Sequence, residues 1–181
     1  MEGSLYSTLH ILYGEKYMHK GTRKYNQYDL NSEFGIGYDS NNRIFYFDLD
    51  DYDKIKGYTW ILNNRSSVYT KDKNKNIYLH RLILNCDKEF LVDHINHNPN
   101  DNRKSNLRIA NKIQNGQNRK NAKGWRYEIK KKRYSARIVV DKKEKHLGYF
   151  NNEKDARNVY LDARKKYFGE FAPKENLNVH S

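Results

Sequence analysis

The sequence predicts an α+β protein built from small antiparallel sheets and a few helices. Short runs of alternating apolar and polar residues recur between positions 33 and 150, and turns rich in Asn, Asp and Gly separate them. One longer amphipathic pattern, at residues 153–168, indicates a helix near the C-terminal end. A chain of 181 residues, 36% of them hydrophobic, is long enough for one modest domain or two small ones.

The charge balance indicates a polyanionic partner. Lys and Arg number 35 against 22 Asp and Glu, which gives a formal net charge of +13. The 16 Tyr residues add ring faces and phenol donors, which suit a nucleic-acid surface. A basic protein encoded by an AT-rich genome would share this composition even without a nucleic-acid partner. The sequence motifs therefore have to distinguish a nucleic-acid-binding protein from a merely basic one.

The cysteine content and the N-terminal segment exclude several classes of protein. Cys86 is the one cysteine, so neither an internal disulfide nor a Cys-x-x-Cys zinc staple can form. The apolar run near the N-terminus is too short and interrupted for a signal peptide or a membrane span. We therefore expect a cytoplasmic protein with no membrane partner, in a cell or in an infected host.

The N-terminal third is predicted to be rich in β-structure after an unclear start. Residues 4–13 fit either a strand or a short helix, and the basic residues 16–24 fit either a phosphate-contacting arm or a solvated one. From position 33 the alternation resumes on both sides of an Asp-Ser-Asn-Asn turn at residues 39–42, which predicts a β-hairpin.

Five further elements are predicted before position 85. Residues 50–55 form a short helix with an acidic first turn, and residues 80–84 form a second short helix. Between them, three strands are expected at residues 58–62, 67–70 and 77–79.

The stretch from Val92 to Lys120 carries the chemistry. A short apolar strand ends on Asp93 and His94, and a loop of Asn and Asp residues follows at positions 96–102. A second strand begins at Asn106, and a helix capped by Asn111 follows it. The unit thus reads strand, loop, strand, helix.

This stretch resembles the HNH endonuclease motif, whose fold is the ββα-metal fold. The likeness is greatest to phage and intron-encoded homing endonucleases, whose core reads DHxxxN…DNRxxNLR…N. The matching positions, which stand in register, are Asp93-His94, Asp101-Asn102-Arg103, Asn106-Leu107-Arg108 and Asn115.

The resemblance implies a role for each matching residue. Asp93 and Asn115 would hold a divalent cation, Mg²⁺ or Mn²⁺, because carboxylate and amide oxygens are hard ligands. His94 would be the general base, and Asn106 would orient its imidazole through a side-chain hydrogen bond. A zinc site built from His80, Cys86, His94 and His97 is an alternative, and it would consume the base.

Other residues near the motif are candidates for supporting roles. His80 either supports the site or is a packed histidine. Arg81, Arg103 and Arg108 are candidates for contacts with DNA phosphates.

A second module follows a linker at residues 121–123. Strands are predicted at residues 124–129, 134–140 and 145–150, and a helix at residues 153–168 is capped by Asn152 and ended by Gly169. The module resembles the plant ethylene-response-factor (Apetala-type) DNA-binding domain, which also occurs fused to HNH nucleases in phages. The likeness covers about residues 123–177, and its matching residues are Gly124, Arg126, Tyr134, Ala136, Ile138, Leu147, Gly148, Phe150, Ala156, Tyr160 and Ala163.

In that family the sheet lies in the major groove of DNA. Arg126, Lys130, Arg133 and Arg137 would lie on or beside the outer face of the sheet, provided that Ile129, Ala136 and Ile138 face the helix. Tyr134 and His146 stand where the plant domains usually have Trp, so the base preference of those domains does not transfer.

Together the two resemblances predict a metal-dependent, site-preferring endonuclease of the homing type that acts on double-stranded DNA and is phage-encoded. The predicted domains are an N-terminal segment, residues 1–32, a nuclease region, residues 33–121 with its core at 77–120, and a DNA-binding domain, residues 122–181. Three alternatives stay open: a non-catalytic DNA-binding regulator, an RNA-binding protein and a virion component. The oligomeric state, the target sequence and the choice between nicking and double-strand cleavage are also open.

Overall fold

The structure is a computed structural model, and it describes residues 26–63 and 67–174. The chain divides into two compact units between Ala110 and Asn111. The division into functional domains at residues 32 and 121 stays a prediction, and the N-terminal patterns at residues 4–13 and 16–24 lie outside the described residues. Small antiparallel sheets and a few helices make up both units, as the sequence predicts.

The first unit opens with a three-stranded antiparallel sheet. Its strands are β1 (Gln27–Asp29), β2 (Gly35–Tyr38) and β3 (Ile44–Phe47), hydrogen-bonded in that order. The predicted hairpin is confirmed by the pairing of β2 with β3. Strand β1 lies in a stretch where the sequence pattern indicated no clear element.

Glycine, rather than the apolar residues, forms the buried face of β2. Gly35 lies opposite Phe47 and Gly37 lies opposite Phe45, and neither ring is exposed to solvent. A Cβ atom on either glycine would overlap the ring that faces it. The glycines therefore make room for the two phenylalanine rings at the centre of the core.

The turn between β2 and β3 is organised by the carboxylate of Asp39. It accepts hydrogen bonds from the backbone N–H groups of Asn41 and Arg43, both at 2.9 Å, and from that of Leu62 at 3.4 Å. The Arg43 guanidinium donates to it as well, at 2.9 Å from Nε. Burial alone would raise the pKa of Asp39, but these hydrogen bonds outweigh it and hold the pKa below its usual value.

Replacing Asp39 with alanine is expected to lower the free energy of unfolding at pH 7 by about 2–4 kcal/mol, because buried donors lose a charged acceptor. Since the folded-state pKa is depressed, this stabilisation is present above the unfolded-state pKa and is lost as the pH falls through the folded-state pKa. In urea unfolding between pH 7 and pH 3, the free energy of unfolding of the wild type should therefore approach that of the Asp39→Ala variant as the pH falls. Asp53→Ala, at a side chain 84% exposed, is the control and should unfold like the wild type at every pH. A constant difference across the pH range would contradict the assignment.

Two short helices and a second sheet follow. A 3-10 turn at Leu49–Asp51 leads into α1 (Tyr52–Ile55). The second sheet contains β4 (Ile61–Leu62), β5 (Val68–Asp72) and β6 (Lys75–Tyr78), and α2 (Leu79–Leu84) follows it directly.

The strand predicted at residues 58–62 is shorter in the structure. The side chain of Asn26 forms hydrogen bonds with the backbone N–H and carbonyl of Trp60 that a neighbouring strand would otherwise form. The Asn26 amide accepts from the Trp60 N–H at 2.5 Å and donates to the Trp60 carbonyl at 2.9 Å. The Trp60 ring is 1% exposed, and its Nε1–H donates to the carbonyl of Ile55 at 2.9 Å. Trp60 is thus a core residue, and around it pack buried side chains that include Phe45, Phe47, Ile55, Leu62, Val68 and Leu79.

A two-stranded antiparallel ribbon completes the first unit. Strand β7 (Leu91–His94) pairs with β8 (Leu107–Ala110), and the predicted polar loop joins them. Leu107 is buried and anchors the ribbon to the core of the unit.

The second unit begins with α3 (Lys112–Gln117). The predicted cap is confirmed: the Asn111 side chain accepts from the backbone N–H of Gln114, and the Gln114 side chain accepts from that of Asn111. Three antiparallel strands follow, β9 (Trp125–Glu128), β10 (Arg133–Val140) and β11 (Lys143–Phe150), with β10 in the centre.

A 16-residue helix, α4 (Glu153–Phe168), packs on one face of this sheet, as the sequence predicts. Ile138, Tyr160 and Ala163 form the buried centre of the contact. The expectation that Ile129 faces the helix is wrong, because the chain leaves the sheet at that residue for a 3-10 turn at Ile129–Lys131, and Ile129 is 81% exposed.

Among the described residues, the helices are all too short or too polar to cross a lipid bilayer.

Candidate active site and nucleic-acid interface

The predicted acid and imidazole lie at the end of strand β7. Asp93 is 7% exposed, and Arg108 stands directly opposite it on β8. The Arg108 guanidinium donates to Oδ2 of Asp93 from Nε at 2.8 Å and from Nη2 at 2.6 Å. Arg108, predicted as a DNA contact, is therefore an ion-pair partner of the acid, and its proposed phosphate contact stays a prediction.

His94 is the last residue of β7, and its imidazole is partly buried. Its Nε2 atom lies 3.3 Å from the side-chain oxygen of Asn102. With that oxygen as acceptor, the tautomer protonated on Nε2 is favoured and Nδ1 keeps its lone pair. Burial lowers the pKa of His94, and this outweighs the contact with Asn102 and the charges of Asp93 and Asp101, which raise it. The neutral imidazole, which a general base requires, is therefore the form at neutral pH.

His80, on α2, forms one wall of the site. Its ring lies edge-on to that of His94, with centroids 5.2 Å apart, and stacks on Tyr78 at 5.6 Å. Burial, with smaller effects from His94 and Arg81, lowers the pKa of His80 to about 4, so its imidazole is neutral. Its buried Nδ1 atom has no hydrogen-bond partner within the described residues. The structure thus places His80 beside the candidate base as a neutral ring.

The loop between β7 and β8 is an ordered chain of side-chain-to-backbone hydrogen bonds. The Asn96 side chain accepts from the N–H of Asn98 at 2.8 Å, and the Asn98 side chain accepts from that of Asn100 at 3.1 Å. Asp101, 2% exposed, accepts from the Asn96 amide and, through both carboxylate oxygens, from the Arg103 guanidinium at 2.7 Å. The Asn and Asp residues therefore hold the loop in place through hydrogen bonds to one another and to the backbone, while Asn96 and Asn98 stay exposed to solvent.

Asn106 does not contact the imidazole as predicted. Its side-chain oxygen accepts from the backbone N–H of Asn96 at 2.9 Å, and its amide donates to the carbonyl of Asp101 at 2.8 Å. The oxygen and the nitrogen of the Asn106 side chain thus both have partners within the loop, and the residue is only 6% exposed. The side chain that does face His94 is that of Asn102.

Sequence reasoning assigned no role to Asn102, although it belongs to the matched motif. Strand β3 positions it: the Asn102 N–H donates to the Tyr46 carbonyl, and the Tyr46 N–H donates to the Asn100 carbonyl, both at 2.8 Å. The Asn102 side chain is fully buried. Its place in the Asp-Asn-Arg triplet was the one available signal.

The predicted cation ligands, Asp93 and Asn115, belong to different compact units. The Asp93 carboxylate accepts hydrogen bonds from the Arg108 guanidinium at Oδ2. Asn115 is an exposed residue of α3. Carboxylate and amide oxygens are donor types that suit a hard cation such as Mg²⁺. That Asp93 and Asn115 hold one cation together stays a prediction. Over residues 26–63 and 67–174, no three His, Cys, Asp or Glu side chains are grouped as metal ligands, so the zinc quartet considered above is not assembled there.

Two further arginines predicted to contact DNA have intramolecular partners. Arg81 donates to the backbone carbonyls of Phe90 at 2.9 Å, Cys86 at 3.1 Å and Asp87 at 2.5 Å, so it shapes the turn that leads into β7. Arg103, bound by Asp101, also lies over the Phe34 ring, 4.5 Å from its centroid. Sequence spacing could have indicated the Arg103 pair, since Asp101 precedes it by two residues.

In the second unit, the outer face of the sheet carries a chain of alternating charges. Glu128 accepts from Arg126 at 3.0 Å and from Arg137 at 2.9 Å, and Arg137 also reaches Glu144 at 3.2 Å. Ser135, paired with Arg126, lies on the same face. The two predicted DNA-contacting arginines are thus held in place by glutamates that sequence reasoning had not singled out.

Lys130 and Arg133 differ from these arginines. Both are exposed at the turn between β9 and β10. Within the described part of the chain, no hydrogen bond or ion pair involves either side chain. They are therefore cations that can meet an external anion without breaking an internal contact.

A groove of about 630 Å³ lies within the second unit, beside the half of β10 that β9 does not cover. Its floor includes Ile138 and Tyr160. Its lining contains more cationic than anionic side chains, a balance that suits phosphate groups. The cations are Arg119, Lys123, Arg126, Arg137, Lys142 and Arg164.

Comparison with known proteins gives one informative match. A protein of Acanthamoeba polyphaga mimivirus, named as an uncharacterized HNH endonuclease, is 30% identical over 139 residues, which are 72% of this chain and 73% of that protein. That relative comes from a virus that is not a phage, so the phage origin expected for this chain stays a prediction. No family model matches the chain. No solved structure matches it either.

Proposed function

The chain belongs to the HNH endonuclease family, and from this premise we propose that it hydrolyses phosphodiester bonds of double-stranded DNA at preferred sites, in a metal-dependent reaction of the homing endonuclease type. The observation that carries the proposal is the environment of His94. Its imidazole is neutral, its Nε2 faces Asn102, and Asp93 precedes it in the strand.

In the proposed reaction, Nδ1 of His94 takes a proton from the attacking water. The water oxygen bonds to phosphorus as the bond from phosphorus to the 3′ oxygen breaks, and the leaving 3′ oxygen takes a proton from solvent. The products are 5′-phosphate and 3′-hydroxyl ends, as the family resemblance implies. Asn102 holds the imidazole in the tautomer that can accept the proton, and the neutral His80 ring packs edge-on against it.

Asp93 and Asn115 are proposed to hold the divalent cation. When bound, Mg²⁺ or Mn²⁺ would offset negative charge that builds on the phosphate and the leaving oxygen in the transition state. Arg108 keeps the Asp93 carboxylate in place through two hydrogen bonds to Oδ2.

DNA affinity is proposed to come from the outer face of the C-terminal sheet, in the manner of the ethylene-response-factor domains. Three strands backed by one helix support the proposal, as do the ordered guanidinium groups of Arg126 and Arg137 and the uncommitted side chains of Lys130 and Arg133. Arginine can read guanine through two parallel hydrogen bonds in the major groove, and lysine mostly contacts phosphate.

The decisive test is incubation of the purified protein with plasmid DNA in Mg²⁺, Mn²⁺ or EDTA, followed by sequencing of the product ends. We expect nicked or linear DNA in either metal, intact DNA in EDTA, and ends clustered at a few sequences. Tight DNA binding without cleavage in any divalent metal would overturn the proposal in favour of a regulator. Preference for RNA in competition would overturn the choice of substrate.

Replacing Lys130 and Arg133 together with glutamine is expected to weaken DNA binding at all sequences. It should also reduce the slope of log K against log salt by about two, since each lost phosphate contact contributes about 0.9. Fluorescence anisotropy at several salt concentrations measures both quantities. Lys71→Gln with Lys75→Gln, at exposed positions of the β5–β6 hairpin, is the charge-matched control. An unchanged slope in the Lys130 and Arg133 variant would show that this turn does not contact phosphate.

A further inference from the structure

Arg164 is a buried cation in the second unit. Arginine is almost never fully buried unless it is paired, because its guanidinium stays charged. Arg164 lies on α4 and is only 3% exposed to solvent. Its Nη2 atom donates to the backbone carbonyls of Gln117 and Arg119, each at 2.8 Å.

One of these carbonyls belongs to Gln117, the last residue of α3, and the other belongs to Arg119, two residues beyond the helix. At that end the backbone N–H of Asn118 donates to the Gly116 carbonyl, but neither Asn118 nor Arg119 adopts the left-handed conformation that closes many helices, and the last turn of α3 contains no basic residue. The last carbonyls of a helix need partners and favour a positive charge. Arg164 supplies both from the neighbouring helix.

The contact matters because α3 is only six residues long. A helix of that length is not stable in water by itself and depends on tertiary contacts. Its N-terminal end is closed by the pair Asn111 and Gln114, so Arg164 completes the support at the other end. Asn115 lies between Gln114, which closes the N-terminal end of α3, and Gln117, whose carbonyl Arg164 binds.

We propose that Arg164 is a positioning residue for Asn115. Its guanidinium fixes the helix that presents the Asn115 amide to the divalent cation. The inference rests on the proposed function, in which Asn115 is a ligand of that cation.

Arg164→Met in the full chain tests this, since methionine keeps an apolar stem and removes the donors. Amide hydrogen exchange at residues 112–118 is expected to accelerate, while exchange in β10 stays as in the wild type. Affinity for Mn²⁺, followed by electron paramagnetic resonance with DNA bound, and the single-turnover cleavage rate should each fall by about 10–100-fold, the usual effect of losing support for a metal ligand. DNA affinity in EDTA should be unchanged, because Arg164 is 3% exposed and its guanidinium donates to backbone carbonyls inside the protein.

The matched control is Arg157→Met, which removes an exposed arginine from the same helix and should leave all of these quantities unchanged. If the Met variant does not fold, the same measurements are made on Arg164→Gln, because glutamine is too short to reach both carbonyls. Wild-type exchange at residues 112–118 together with wild-type Mn²⁺ affinity, in whichever variant folds, would overturn the inference.

A double-mutant cycle with Asn115→Ala separates positioning from a general structural effect. If Arg164 acts through Asn115, Arg164→Met should lower cleavage little further once Asn115 is alanine; additive losses would overturn the inference. Failure of the proposed function looks different, because the wild type would then cut no DNA in any divalent metal. An active wild type with a fully active Asn115→Ala variant would remove Asn115 from the site and the inference with it.

Discussion

His94→Ala is expected to lower the single-turnover rate of DNA cleavage in Mg²⁺ by at least about 100-fold, and to leave DNA affinity within about twofold of the wild type. The reason is chemical: alanine cannot take the proton from the attacking water. DNA affinity is unaffected in this account because it comes from cations of the C-terminal sheet and the β9–β10 turn. Single-turnover cleavage of a plasmid and anisotropy in EDTA measure the two quantities separately.

His97→Asn is the control for this prediction. His97 lies three residues after His94, in the loop between β7 and β8, and has φ 61°, a left-handed conformation that asparagine also adopts. The control should cut like the wild type. A His94→Ala variant that cuts at the wild-type rate, with normal circular dichroism, would remove His94 from the role of base and leave the reaction without an identified proton acceptor in the described site.

The backbone elements were predictable because their signals are local. Alternation over four to eight residues indicated the β2–β3 hairpin and the strands of the C-terminal sheet, and Asn111 and Asn152 marked the starts of α3 and α4. Each signal lies within a few residues of the element that it predicts. The strand at Gln27–Asp29 lacked such a signal, since it forms by pairing with β2.

The contacts of the site were less predictable because they depend on residues far apart in the chain. Asn102 and Asn106 are both asparagines of the same motif, and only the hydrogen bonds of the loop to Tyr46 decide which one faces His94. The resemblance supplied the residue types, and the tertiary fold of the loop determines their partners.

The arginines illustrate the same limit for electrostatics. Net charge indicated a polyanion, but it does not tell which cations are already paired within the protein. Arg103 and Arg126 each have an acidic residue two positions away. Arg126 and Glu128 lie on the same face of β9 because side chains two apart on a strand share a face, whereas Arg103 pairs with Asp101 within the loop. Arg108 pairs with Asp93 only because β7 and β8 are in register.

Asn106→Ala is expected to act mainly on stability, lowering the free energy of unfolding by about 2–4 kcal/mol. The variant loses two hydrogen bonds and leaves the N–H of Asn96 and the carbonyl of Asp101 without their partner in a buried place. Chemical denaturation followed by circular dichroism gives the free energy of unfolding. Cleavage measured well below the unfolding midpoint should fall less than in Asn102→Ala, because Asn102 is the residue that contacts the imidazole.

The control is Asn100→Ala, in the same loop. The side-chain oxygen of Asn100 is buried and has no hydrogen-bond partner among the described residues, and its backbone carbonyl, which Tyr46 uses, survives the substitution. Asn100→Ala should therefore unfold close to the wild type. If Asn106→Ala instead keeps the stability of the wild type and loses cleavage, then Asn106 orients His94 directly during the reaction. The loop would in that case rearrange when DNA binds, and the contact between Asn102 and His94 would belong to the free protein alone.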